Sequence, residues 1–115
     1  MAKSNLDQTL LALADPTRRA ILQRLSAGEA RVTEIAEPFP ISLNSISKHI
    51  RKLERARLVR RRRDGREHIL SFNPKPLDEA AAWIESKRAF WTARLDSLER
   101  ELKALDESER GADDE

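Results

Sequence analysis

The stretch from Ile41 to Phe72, ISLNSISKHIRKLERARLVRRRRDGREHILSF, constrains the fold of this chain more than any other because its periodicity changes half-way. Up to Arg55 the apolar residues Leu43, Ile46, Ile50 and Leu53 recur at helical spacing, and Ser42 stands where an N-cap belongs. Advancing about 100° per residue from Ile46 gathers those four into one arc, the predicted buried face, and leaves Asn44, Lys48, Arg51 and Arg55 opposite. Ser45 and Lys52 fall on one flank, Ser47 and Glu54 on the other, and His49 at the margin. From Leu58 the pattern becomes two short runs around Asp64-Gly65, a strong hairpin signal because a type I′ turn needs positive φ at both central residues. With those two residues as the loop, Arg63 faces Arg66, Arg62 faces Glu67, Arg61 faces His68 and Val59 faces Leu70. Arg62 and Glu67 then read as a surface pair. Arg61, Arg63 and Arg66 crowd like charge at the tip, which a nearby anion would relieve.

Charge singles out the same stretch. Lys48, Arg51, Lys52, Arg55, Arg57, Arg60, Arg61, Arg62, Arg63 and Arg66 stand against Glu54, Asp64 and Glu67, in a chain whose net charge is only +2. A bare arginine run reads as a solvated surface, but one joined to an amphipathic helix and a tight turn is the footprint of a nucleic-acid binder. The 115 residues amount to one domain, and 37% charged with 4% aromatic residues is thin material for a monomeric core. That balance predicts a helical protein with an obligate partner surface. The absence of cysteine removes disulfides, thiolate metal sites and a thiol nucleophile. No apolar run approaches the roughly 18 to 20 residues that span a bilayer, and the N-terminus lacks a signal pattern, so a soluble, cytoplasmic protein with no membrane partner is expected.

The rest of the chain supports this centre. Ser4 or Asn5 can cap a first helix whose Leu6, Leu10 and Leu13 share a stripe widened by Leu11 and Ala14. Asp15-Pro16 breaks it and starts a second helix, with Ala20, Ile21 and Leu25 apolar, ended by Gly28. Thr33 caps a short third helix, Thr33-Glu34-Ile35-Ala36, stopped by Pro38 and Pro40 around Phe39. After Asn73-Pro74-Lys75-Pro76 a last helix runs from about Leu77 towards Leu105, with Ala80, Trp83, Ile84, Phe90, Trp91, Leu95, Leu98, Leu102 and Leu105 apolar. From Trp91 the 4-3-4-3 spacing is that of a coiled-coil seam, interrupted upstream by Arg88, so this helix should pack against the first helix and a symmetry mate. Trp83, Phe90 and Trp91 could instead line a ligand pocket, but their spacing already accounts for them as dimer core. Residues 106–115 are acidic and predict a disordered tail beyond a domain of residues 1–105.

A short helix, a turn, an amphipathic helix and a two-stranded hairpin follow the order of a winged helix-turn-helix, mainly α with a small β-hairpin and five helices in all. The helix over 42–56 would enter the major groove, and the wing over 59–72 would lie along the backbone or in the adjacent minor groove. Asn44, Ser45 and Lys48 suit base edges. Ser42, His49, Arg51, Lys52, Arg61, Arg62, Arg63 and Arg66 suit phosphates, and Ser47 completes the set. An active-site role for His49 or His68 fails for want of a partner, since Ser47 lies about 200° from His49 on a helix. The chain therefore reads as no enzyme.

Leu13-Ala14-Asp15-Pro16-Thr17-Arg18-Arg19-Ala20-Ile21-Leu22, then Ser42, Ser47-Lys48-His49-Ile50 and Leu53-Glu54-Arg55-Ala56-Arg57-Leu58-Val59, resemble the ArsR/SmtB family of bacterial repressors up to about Leu105. The resemblance implies a homodimer joined through the first and last helices, here Leu6, Leu10 and Leu13 with Trp83, Ile84, Trp91, Leu95, Leu98 and Leu102. It implies binding to a palindromic operator in double-stranded DNA, and repression of its own or adjacent genes until a signal releases it. The alternative is a winged-helix interaction module that docks an acidic protein partner. Two departures matter. Members commonly carry Gly where Arg57 stands, and metal-sensing members carry cysteines at the third helix or His/Asp/Glu clusters on the last. Here the third helix offers Val32-Thr33-Glu34-Ile35-Ala36 and the last contains no histidine, so no metal and no cofactor are expected, and the sequence does not identify an inducer.

Overall fold

A computed structural model describes the backbone of residues 2–113 and the side chains of residues 5–111. Its elements are α1 (Ala2–Leu13), α2 (Pro16–Ser26), β1 (Ala30–Arg31), α3 (Val32–Ala36), α4 (Leu43–Arg55), β2 (Val59–Asp64), β3 (Glu67–Phe72) and α5 (Lys75–Asp113). Residues through Ala80 form one compact unit, and the remainder of α5, from Ala81, forms a second.

In the first unit α2 packs against α1 and α4, α3 packs against α4, and the sheet closes the core. Ile21, Ile35, Ile46, Ile50, Leu53, Leu58 and Leu70 are fully buried at its centre. Each such side chain stabilises the fold by about 1.5–3 kcal/mol relative to exposure. Asp15 and Pro16 act as expected: the Asp15 side chain accepts from the Arg18 N–H at 3.0 Å, and Pro16 takes the first helical turn, where a missing N–H costs nothing. Ser42 caps α4, accepting from the Ser45 N–H at 3.1 Å.

Several expectations need correction. Helix α1 begins at Ala2, so Asn5 lies inside it rather than capping it, and the side chain of Ser4 is outside the described residues. Its core side is made by Thr9 and Ala12, not by the leucines: Thr9 is fully buried with Oγ1 donating to the Asn5 carbonyl at 2.8 Å, while Leu10 and Leu11 are exposed. Small side chains let α1 approach its neighbours closely; Leu10 and Leu11 turn outward, whereas half-buried Leu13 packs against the edge of the core. In α2, Leu22 and Arg18 are buried and Ala20 is exposed. Helix α3 starts one residue before Thr33, because Glu34 at its third position accepts from the Arg31 N–H at 3.4 Å. Leu43, placed on the buried arc, is exposed in the first turn of α4. Helix α5 continues past Leu105 to Asp113, so the acidic stretch is helical as far as that residue. There Arg110 pairs with Asp106 at 3.3 Å, one turn apart. Asp114 and Glu115 lie outside the described residues.

The sheet has three strands, not two, in the order β1-β3-β2. The two-residue β1 pairs Ala30 with Leu70 and Arg31 with Ile69. The hairpin register also differs from the expected one: Asp64 pairs with Glu67, Arg63 with His68, Arg62 with Ile69, Arg61 with Leu70 and Val59 with Phe72. The turn is therefore Gly65-Arg66, with Gly65 at φ 64°. A glycine at the first central position is the requirement of a type II′ turn, which needs one left-handed residue where type I′ needs two. Asp64 is spared that conformation. The shift brings Val59 opposite Phe72 while keeping Val59 and Leu70 on the buried side.

Helix α4 ends at a left-handed residue that is not glycine. Arg57 has φ 63°, its N–H donates to the Glu54 carbonyl at 2.9 Å, and the Leu58 N–H reaches the Leu53 carbonyl at 3.0 Å. These two bonds make a Schellman motif with Leu53 and Leu58 buried beneath it. Left-handed backbone costs a residue with Cβ roughly 1–2 kcal/mol, and glycine gives back about 0.5–1 kcal/mol through its freer unfolded chain. Arg57→Gly is thus expected to stabilise the protein by about 0.5–1 kcal/mol, read as a higher urea midpoint at unchanged slope. A midpoint that stays put or falls would mean that Arg57 is not strained.

Candidate nucleic-acid interface

Burial of Ile46, Ile50 and Leu53 fixes the rotation of α4 about its axis, and so decides what its outer side presents. Asn44, Lys48, Arg51 and Arg55 form an exposed ridge, flanked by exposed Lys52. Lys48, Arg51, Lys52 and Arg55 stand outside every ion pair formed among the described residues. At the helix start the Ser42 hydroxyl donates to Ser45 Oγ at 3.0 Å, which leaves the Ser45 hydroxyl proton uncommitted.

The ridge lies between two grooves. On the wing side a groove of ≈320 Å³ is bounded by Leu43 and Ser47 of α4, Arg31, Val32 and Thr33, and Arg61, Arg66, Glu67 and His68 of the wing. On the other side a groove of ≈390 Å³ is lined from α1, α2 and the second half of α4. Leu43, lost from the core, belongs to the wing-side groove, as does half-buried Ser47.

The wing arginines divide into two kinds. Arg61 makes two bonds to Glu54, at 2.7 and 3.2 Å, and Arg62 meets Glu29 at 2.6 Å, so neither the Arg62–Glu67 pair nor the crowding around Arg61 exists. Glu67 pairs instead with Arg31 at 2.9 Å. Arg63 Nε donates to the Gly65 carbonyl at 3.1 Å and stiffens the turn. Arg66, in the turn itself, and exposed Arg60 enter no ion pair among the described residues. Arg60 counts in the charge of the basic stretch but not among the contacts expected from the sequence, although it alternates with Arg61 along β2 and so points away from Glu54.

His49 is drawn inward. Its Nδ1 lies 3.3 Å from Arg18 Nη1 and 3.7 Å from Asp15 Oδ2. A guanidinium can only donate, so in the neutral ring Nδ1 accepts and the proton sits on Nε2. Arg18 itself is buried, with Nε donating to the Ala12 carbonyl at 2.8 Å and Nη2 to the Leu11 carbonyl at 3.0 Å. One side chain thereby donates to two carbonyls at the end of α1, of which that of Leu11 also accepts from the Ala14 N–H at 3.2 Å, and braces α4 through His49. The Arg18 N–H, aided by the charges of His49 and Arg18, holds the Asp15 carboxyl below its ordinary range against partial desolvation. Among the described residues no group of three His, Cys, Asp or Glu is placed to hold a metal ion, and no helix is long and apolar enough to cross a membrane.

The second unit, taken by itself, is a helix that exposes Trp83, Ile84, Phe90, Trp91, Leu95, Leu98, Leu102 and Leu105. Glu85 and Arg88 form a bidentate pair at 2.8 and 2.9 Å where the apolar repeat is interrupted.

Comparison with known proteins gives this geometry a context. Residues 13–62 match a family model described as a helix-turn-helix domain. The chain is 39% identical over 89 residues to the HTH-type transcriptional regulator Rv2034 of Mycobacterium tuberculosis, covering 77% of this chain and 80% of that protein. It is 35% identical over 79 residues to the transcriptional repressor SdpR of Bacillus subtilis, covering 69% and 88%. Among solved structures, an ArsR family transcriptional regulator superposes with a TM-score of 0.74 at 39% identity, covering 78% of this chain and 93% of that one. The chain belongs to the ArsR family of winged helix-turn-helix proteins, and it is a DNA-binding transcriptional regulator and not an enzyme.

Proposed function

We propose that the protein is a homodimeric repressor that binds a palindromic operator controlling its own or adjacent genes. Helix α4 reads the major groove and the wing rests on backbone or minor groove. The observation that carries this is the ridge of α4: Asn44, Lys48, Arg51 and Arg55 are exposed around a helix whose other side is anchored by fully buried Ile46, Ile50 and Leu53. Ser45 and Lys48 lie in its N-terminal half, where base edges come within reach. Ser42, Arg51, Lys52, Arg63 and Arg66 hold the phosphates, with Ser47 at the edge of the wing-side groove and His49 contributing through Nε2. Arg61 and Arg62 bind less directly, since each is shared with a carboxylate.

The dimer uses exposed Leu10 and half-buried Leu6 and Leu13 of α1, the last also touching the core, and the apolar stripe of α5, Trp83, Ile84, Trp91, Leu95, Leu98 and Leu102. A contiguous stripe of this length on a soluble regulator is an interface in search of its mate.

A mobility-shift titration at physiological salt, with DNA from upstream of the gene against random DNA, tests the proposal. Equal affinity for the two would overturn it. In the same assay Lys48→Ala is expected to cost about tenfold more on the operator than on random DNA, in line with the roughly 1–3 kcal/mol of a base contact. Arg66→Ala should weaken both alike. Equal specificity ratios in the two variants would refute this division of labour.

A further inference from the structure

The groove on the far side of α4 from the wing has a composition that DNA binding does not explain. Its ≈390 Å³ are lined by Gln8, Leu11, Ala12, Arg18, Lys52 and Arg55. Arg18, Lys52 and Arg55 bring three cations to one concavity, and no carboxylate lines it. Lys52 and Arg55 enter no ion pair among the described residues, whereas Arg61 and Arg62 on the wing both do. The opposite wall is apolar: Leu11 is 69% exposed, and buried Ala12 lines the groove beside it.

Helical spacing puts Gln8, Leu11 and Ala12 on the side of α1 opposite Leu6, Leu10 and Leu13. Leu11 thus serves neither the core nor the proposed dimer seam. A phosphate oxygen would gain from the cations but nothing from Leu11. A small molecule with an anionic head and an aliphatic body would use both walls, and the groove lies within the range of about 300–1,000 Å³ usual for such ligands.

We propose that this groove is an effector site for a small amphiphilic carboxylate. The head lies between Lys52 and Arg55, the chain lies along Leu11 and Ala12, and Gln8 supplies a hydrogen bond. Arg18 contributes charge but keeps its donors on the Leu11 and Ala12 carbonyls and His49. The effect on DNA rests on the repressor reading: a carboxylate on Lys52 withdraws a phosphate contact from α4 and adds negative charge beside the ridge, so the bound ligand releases the operator.

The test uses the full chain and octanoate as the probe, with acetate (head without tail) and hexanol (tail without head) at equal ionic strength. Calorimetry is expected to show saturable octanoate binding, one per chain, with acetate and hexanol at least about tenfold weaker. Leu11→Ser, a change at an exposed position that leaves folding intact, and Arg55→Ala should each weaken octanoate binding by about tenfold. Octanoate should also lower operator affinity in the wild-type protein and not in Leu11→Ser. Acetate binding as tightly as octanoate, or Leu11→Ser without effect, would overturn the proposal and leave a seat for DNA phosphates. Operator binding without any octanoate binding would sink the site alone; octanoate binding with no operator preference would sink the repressor reading alone.

Discussion

Leu98→Asp is expected to lower operator affinity by at least about a hundredfold, because losing the dimer uncouples two half-site contacts whose linkage is worth roughly 10²–10⁴. Leu98 sits mid-way along the exposed stripe of α5, seven residues after Trp91 and seven before Leu105, and is 47% exposed in the single chain. In the proposed dimer a carboxylate there would sit in an apolar seam, and an unpaired charge removed from water costs several kcal/mol. The folded unit through Ala80 does not depend on this residue, so circular dichroism should be preserved while sedimentation reports a monomer. Binding to random DNA per chain should change much less. A variant that stays dimeric and keeps its operator affinity would refute the assignment of the seam to α5.

Arg18→Ala is expected to destabilise the protein by about 2–4 kcal/mol, the range for breaking a buried, charge-assisted network. The loss has two parts. The Ala12 carbonyl loses its side-chain donor at the end of α1 and the Leu11 carbonyl keeps only the Ala14 N–H, while His49 loses the partner that braces α4. Arg18→Lys keeps the charge but can make only some of these contacts, since an ammonium does not reproduce the planar fork, so it should recover less than half of the deficit. Urea unfolding measures both. A loss below about 0.5 kcal/mol in Arg18→Ala would mean that water replaces the guanidinium without cost.

These two residues also show what the sequence makes legible. Helix α4 is readable because a serine cap and residues at Ile46, Ile50 and Leu53 spell one period without competition, and the apolar repeat of α5 is readable for the same reason. Arg18 is not, since an arginine beside another arginine reads as solvent-facing until carbonyls from the preceding helix converge on it. In α1, Leu10 and Leu11 draw attention to the wrong side: the buried contact is made by Thr9 and Ala12, whose smallness matters and whose hydropathy does not, with only Leu13 of the leucines packed at the edge of the core. Strand β1 is too short to carry a period, and the hairpin register turns on whether Asp64 or Arg66 joins Gly65 in the loop, a choice Asp-Gly alone does not make. Within the interface, the ridge follows from the period of α4. The pairing of Arg62 with Glu29, 33 residues away, needs the fold.

That pairing bears on how the wing would grip a polyanion. The stretch from Arg60 to Arg66 contains five arginines, yet the carboxylates of Glu54 and Glu29 already neutralise two of them. An arginine in such a pair displaces fewer condensed cations from a duplex than its formal charge suggests, because approaching a phosphate means sharing or leaving its carboxylate. The wing is therefore a hairpin of lower effective valence than its composition. Held midway along β2 by Arg61 and Arg62 and open to an anion at Arg60 and Arg66, the wing would, in the proposed complex, resist non-specific capture by any polyanion and favour a duplex already aligned by α4.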